Sequence, residues 1–148
     1  MIKQILLVED NASDEKLTLL AFKHCGVVNE ITIARDGAAA LDLLFATGVH
    51  AGRDPSVLPS LVLLDLNLPK VDGLDVLRRI RADARTRLLP VVILTASAEE
   101  EDLMRSYALG ANAYVRKPVA FAEFAKAAST VGLFWLLLNE PPPRRGTP

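Results

Sequence analysis

Cysteine is almost missing from this sequence. Cys25 stands alone among 148 residues, so it closes no internal disulfide, and a disulfide scaffold is excluded. Charge of one sign is also missing. The 17 basic and 18 acidic residues leave a net charge of −1. Non-specific nucleic-acid binding needs an uncompensated basic surface, so no nucleic-acid partner is expected. The local cluster Arg78, Arg79, Arg81, Arg85 and Arg87 reads as a solvated helix face and loop. No apolar run is long. The longest, Val131 to Leu138, falls far short of the roughly 20 residues of a membrane span. The opening Met-Ile-Lys-Gln-Ile lacks an apolar run with a small-residue cleavage site, so no signal peptide is expected. A soluble, cytoplasmic protein without membrane association is the expectation. No Gly-x-Gly-x-x-Gly or Gly-Lys-Ser/Thr loop follows the first apolar run, which ranks a nucleotide-binding module low. Internal repeats are absent, and His24, Cys25 and His50 are too isolated to read as ligands.

What is present is an apolar share of 51%, enough for one globular domain with a full core. Five short, mainly apolar runs recur: Ile5 to Val8, Ile31 to Ala34, Leu61 to Leu64, Val91 to Leu94 and Ala113 to Val115. Runs apolar on both faces predict buried parallel strands. Between them lie helical patterns. Asp14 to Cys25 is stopped by Gly26, Asp36 and Asp72 are caps for two further helices, and Glu99 to Leu109 ends at Gly110. A last helix runs from Phe121 to Leu138. Five strands alternating with five helices predict an α/β fold, a parallel sheet covered on both faces. His50 to Ser60 reads as a long surface loop. The domain is expected over residues 1–140, and 141–148 form a proline-rich tail expected to be disordered.

Function in such a sheet gathers where the strands end at their carboxyl edge. Four runs end in residues with chemical capacity: Glu9 and Asp10, Asp65, Thr95, and Lys117. Three carboxylates together repel one another unless a cation sits among them. Carboxylate oxygens and water suit Mg²⁺. A lysine can sit on a phosphoryl oxygen as a point charge, and a threonine hydroxyl can bond another. A carboxylate can act as nucleophile and hold an aspartyl phosphate. The set therefore points to phosphoryl transfer. Each residue alone has a plainer reading, as a helix cap or a loop lysine. Their joint occurrence at four strand ends outweighs it.

Val8-Glu9-Asp10-Asn11, Leu64 to Gly73, Leu94-Thr95-Ala96-Ser97 and Ala113 to Pro118 together resemble the response-regulator receiver domains of bacterial two-component systems, over about Lys3 to Ala127. The resemblance implies a flavodoxin-like, doubly wound (βα)5 sheet of strand order 2-1-3-4-5. It implies that Glu9, Asp10, Asp65 and the backbone carbonyl of Asn67 bind Mg²⁺, and that Asp65 takes the phosphoryl group. Thr95 and Lys117 would hold the phosphoryl oxygens, and Thr95 and Tyr114 would switch. It further implies a cis Lys117–Pro118 bond. Asn67 and Ser97 occupy positions that tune the phosphoryl lifetime in that family. The implied role is a phosphoacceptor switch fed by a histidine kinase, with at most slow self-dephosphorylation. Kinase recognition is expected through the first helix, whose face Asn11, Asp14, Glu15 and Thr18 reads as exposed beside the acidic pocket. Alternatives are a phosphohydrolase with an aspartyl nucleophile, or a phosphate sink within a phosphorelay. The hydrolase usually needs an acid where Asn67 stands.

After Leu138 too few residues remain for an output domain, so a stand-alone receiver signalling through protein contacts is expected. In the last helix, Phe121, Phe124, Ala128, Val131, Trp135 and Leu138 form one stripe for the sheet. Leu133, Phe134, Leu136 and Leu137 are left over, which predicts a homodimer through this helix and the fifth strand. Phe134-Trp135-Leu136 near the prolines, with the long loop before Leu61, resembles the single receivers paired with bacterial phytochromes.

Overall fold

The computed structural model describes residues 4–25, 30–117 and 120–143. All five apolar runs are strands: β1 Gln4–Val8, β2 Glu30–Ala34, β3 Leu61–Leu64, β4 Val91–Thr95 and β5 Ala113–Arg116. They pair in parallel in the order β2-β1-β3-β4-β5, as expected. Helices α1 Ala12–Cys25, α2 Gly37–Phe45, α3 Gly73–Ala82, α4 Glu100–Ala108 and α5 Phe121–Leu133 alternate with them. Side chains leave a strand on alternate faces. Accordingly Leu6, Val8, Val62, Leu64 and Ile93 join Leu44, Leu77 and Ile80 of α2 and α3 in one core layer. Ile5, Leu7, Leu61, Leu63 and Val92 meet Phe22 of α1 and Val131 of α5 in the other. The central strands are buried on both faces, which is why they lack polar residues except at their ends.

The helix starts follow their caps. Asp36 accepts from the Ala39 N–H at 2.7 Å, and Asp72 from the Asp75 N–H at 3.1 Å. Helix α1 begins at Ala12, earlier than expected, because Asn11 Oδ1 accepts from the Asp14 N–H at 2.9 Å. Gly110 ends the α4 segment with φ at 100°. The expected stop at Gly26 lies outside the described residues. In the long loop, Arg53 donates to the carbonyls of Leu43 and Val57 at 3.1 and 2.9 Å, tying it to the end of α2. Arg81, expected on a solvated face, is partly buried. It donates to the carbonyls of Leu89 and Gly110 at 2.7 and 2.8 Å, and so joins α3 to the loops around β4 and β5.

The last helix departs from its expected register. Phe124, Ala128 and Val131 face the core, while the Phe121 side chain lies outside the described set. From Phe134 to Leu138 the chain takes a π-helical turn, closed by the Asn139 N–H on the Phe134 carbonyl at 2.8 Å. Such a turn bonds i to i+5, so the inward position after Val131 falls five residues on. Leu136, expected on the outer surface, is therefore 3% exposed and packs in the core, and Leu138, expected inside, is 73% exposed. Trp135 remains partly buried against the same cluster. Pro141 to Pro143 are exposed, and 144–148 lie outside the described residues.

Candidate functional site

Backbone bonds carry the sheet ladder one step past the strand ends. The Glu9 N–H donates to Ala34 at 3.0 Å, Asp65 to Val8 at 3.1 Å and Lys117 to Thr95 at 2.7 Å. The parallel register thus brings residues from β1, β3, β4 and β5 to one edge. Glu9, Asp65, Thr95 and Lys117 are all buried there, whereas Asp10 is exposed.

Carboxylate oxygens of Glu9, Asp10 and Asp65 lie within 4.8 Å of one another. Three all-oxygen donors so close repel unless positive charge joins them, and they match the donor set of a hard divalent cation. Lys117 brings part of that charge. Its ammonium donates to Glu9 Oε1, to Asp65 Oδ2 at 2.9 Å and to Asp14 Oδ2 at 2.9 Å. Burial pushes the Glu9 carboxyl up to about 7, with Lys117 opposing and the Asp65 charge adding to the rise. Burial acts on Asp65 in the same direction. There the Lys117 charge and hydrogen bond, helped by a bond from the Thr95 hydroxyl, outweigh it and hold the carboxyl below its usual range. Burial opposes charge on Lys117, but its three carboxylate partners prevail and raise it. The Lys117 ammonium thus favours the charged form of Asp65, while burial pushes Glu9 the other way.

The neighbouring loops fix this arrangement. The Asn67 N–H donates to Asp65 Oδ1 at 3.3 Å. A Cβ on Gly73 would stand 2.2 Å from the Asp65 carbonyl oxygen, so the start of α3 lies directly against the Asp65 backbone. The Ser97 N–H donates to Thr95 Oγ1 at 3.4 Å, and the Ser97 hydroxyl donates to Asp102 Oδ2 at 2.6 Å. Tyr114 is partly buried, and its hydroxyl donates to the Ser97 carbonyl at 3.1 Å. Burial first, and then the charges of Asp102 and Asp65, raise its phenol. The Lys117–Pro118 bond expected to be cis lies outside the described residues, which omit Pro118.

Two residues expected on an exposed face of α1 are placed otherwise. Thr18 is fully buried, its hydroxyl donating to the Asp14 carbonyl at 2.8 Å. Asp14 turns into the site and bonds Lys117. The signal was available in Asn11. As a cap three residues earlier it starts the helix at Ala12, placing Asp14 on the first turn beside the end of β1. Leu133, Phe134, Leu136 and Leu137 belong to the far segment of the last helix and take no part in this constellation.

Residues 5–129 match the family model of the response regulator receiver domain. The chain belongs to that family. A curated relative, the probable methanogenesis regulatory protein FilR2 of Methanothrix harundinacea, is 44% identical over 93% of this chain and 86% of its own. The response regulator Rcp1 of Synechocystis is 40% identical over 90% of this chain and 89% of its own. The Mn(2+)-bound structure of Rcp1 superposes with a TM-score of 0.88 at 38% identity, covering 95% of this chain and 99% of that one. A phosphorylated cyanobacterial phytochrome response regulator, RcpA, has a TM-score of 0.90 at 36% identity, covering 97% and 100%. The bacteriophytochrome response regulator AtBRR is 54% identical with a TM-score of 0.74, covering 95% and 99%.

As a receiver, the chain is a phosphoacceptor signalling domain of two-component systems, a class whose partners are histidine kinases. Its acidic cluster of Glu9, Asp10 and Asp65 has the all-oxygen donor set that suits a divalent cation. No helix among the described residues is long and apolar enough to cross a membrane.

Proposed function

We propose that Asp65 is the phosphoacceptor, that Mg²⁺ is the divalent cation, and that the donor is the phosphohistidine of a bacteriophytochrome kinase. One juxtaposition carries this reading. The Asp65 carboxylate lies within 4.8 Å of carboxylate oxygens of Glu9 and Asp10 and 2.9 Å from the Lys117 ammonium. Identity of 54% with AtBRR supports the phytochrome pairing.

An Asp65 carboxylate oxygen attacks phosphorus, and the new O–P bond forms as the P–N bond to the donor imidazole breaks. The electron pair stays with the imidazole nitrogen. Asp65 needs no base, because its carboxyl is already ionised. Lys117 exchanges its bond to Asp65 Oδ2 for one to a phosphoryl oxygen, and Thr95 supplies a second donor. Glu9, Asp10, Asp65 and the Asn67 carbonyl would hold the Mg²⁺, which when bound neutralises charge on the phosphoryl oxygens. As Thr95 turns to the phosphoryl group, Ser97 and with it Tyr114 follow, which passes the event to β5.

The output is a contact between proteins, and we place a homodimer interface on the last helix and β5. Leu133, Phe134, Leu137 and Leu138 leave large apolar surface exposed there, with Leu138 in place of the expected Leu136.

Incubation with acetyl phosphate and Mg²⁺ should add one acid-stable, base-labile phosphoryl group, and Asp65→Asn should add none. Full labelling of that variant would remove Asp65 from its role. Equal transfer from phytochrome and unrelated kinases would remove the pairing.

A further inference from the structure

An ammonium group has three N–H donors, and on Lys117 each one meets a carboxylate. Two of these carboxylates, Glu9 and Asp65, belong to the cation cluster, and Asp14 does not. Asp14 is held at the first turn of α1 through its backbone alone. Its N–H donates to Asn11 Oδ1 at 2.9 Å, and its carbonyl accepts the Thr18 hydroxyl at 2.8 Å. The side chain, 25% exposed, is left to reach the lysine.

Lys117 and a cation compete for Glu9 and Asp65. A dication draws on the same two carboxylates that Lys117 now binds, and it repels the ammonium. The Lys117 side chain is only 5% exposed, so water cannot take the place of lost partners. A buried charge stripped of its partners is strongly disfavoured. Binding of the cation therefore needs another counter-charge within reach of the lysine, and Asp14 is the carboxylate within hydrogen-bond distance that is outside the cluster.

We propose that Asp14 is a positioning residue that holds the Lys117 ammonium while Glu9 and Asp65 turn to the cation and the phosphoryl group. Cation affinity then depends on a side chain that is not a ligand. This rests on the reading that the cation sits among Glu9, Asp10 and Asp65.

The test is titration of the full chain with Mn²⁺ alone, with the free ion followed by electron paramagnetic resonance. Asp14→Ala should weaken binding by about fivefold to tenfold, a coupling typical of groups in direct contact. Asp14→Asn keeps an acceptor for Lys117 and should recover part of the loss. In a Lys117→Ala background, Asp14→Ala should have no effect. Unchanged Mn²⁺ affinity in a folded Asp14→Ala protein overturns the proposal. So does an equal loss with and without Lys117, which would mean that Asp14 acts directly on the cation through its charge. Failure of the unaltered protein to bind Mn²⁺ would instead overturn the cation site, and the role of Asp14 with it.

Discussion

The Tyr114 hydroxyl is tied to the Ser97 backbone carbonyl at 3.1 Å, which joins β5 to the loop after β4. Ser97 is in turn bonded to Thr95 Oγ1 and to Asp102, at 3.4 and 2.6 Å. Hydrogen bonds therefore link Thr95, which favours the charged form of Asp65, through Ser97 to an aromatic ring near the surface.

Tyr114→Phe removes one bond of this series and leaves the ring in place. Its loss should lower the unfolding free energy by about 1 kcal/mol, the usual net worth of one hydrogen bond. Labelling of Asp65 by acetyl phosphate should persist, because Tyr114 does not touch the acceptor. Urea unfolding of the two proteins measures the difference. Unchanged stability would mean that the hydroxyl bond does not hold the ring.

Gly73 is the second point where a small change should reach the acceptor. A Cβ there would meet the Asp65 carbonyl oxygen at 2.2 Å and Leu66 Cα at 2.6 Å, both backbone atoms. Gly73→Ala must push the Asp65–Leu66 backbone aside, at a cost of about 1–3 kcal/mol in stability. The displaced carboxylate should also bind Mn²⁺ more weakly. Gly52, with nothing within 4 Å of its added Cβ, is the matched control. Equal melting temperatures for the Gly73→Ala and Gly52→Ala proteins would contradict the contact.

These sites differ in how far the sequence disclosed them. The strands were legible because a strand buried on both faces admits polar residues only where it opens at its end. Glu9, Asp65, Thr95 and Lys117 mark those openings. The caps Asp36 and Asp72 were legible because a side-chain oxygen must meet an N–H three residues on. The Asn11 cap marked the first turn that carries Asp14, but not the inward course of its side chain, since an acid there usually faces water and only the tertiary position of Lys117 draws it inward. The exchange of Leu136 for Leu138 was hidden for a different reason. Periodicity assumes the i to i+4 bond, and the π turn is a backbone choice that side-chain spacing does not record.

The dimer prediction follows from that exchange. Leu133, Phe134, Leu137 and Leu138 are all exposed on the last helix, and Phe134 is 45% exposed beside Trp135. Full burial of such a side chain contributes about 1.5–3 kcal/mol at most, before the cost of association. A two-fold interface repeats each contact, which brings a micromolar dimer, about −8 kcal/mol, within reach. Light scattering on the unaltered protein at micromolar concentration should give the mass of two chains, and a monomer mass before and after phosphorylation would refute the interface. Phe134→Asp with Leu137→Asp should give a folded monomer that still accepts phosphate on Asp65. Leu136→Asp should behave differently, because Leu136 packs with Ile5, Leu7 and Leu61 inside the chain. A charge placed there is buried without a partner, so the fold itself should melt well below the unaltered protein. If Leu136→Asp instead yields a stable monomer, Leu136 faces the partner and the π turn is not the arrangement in solution.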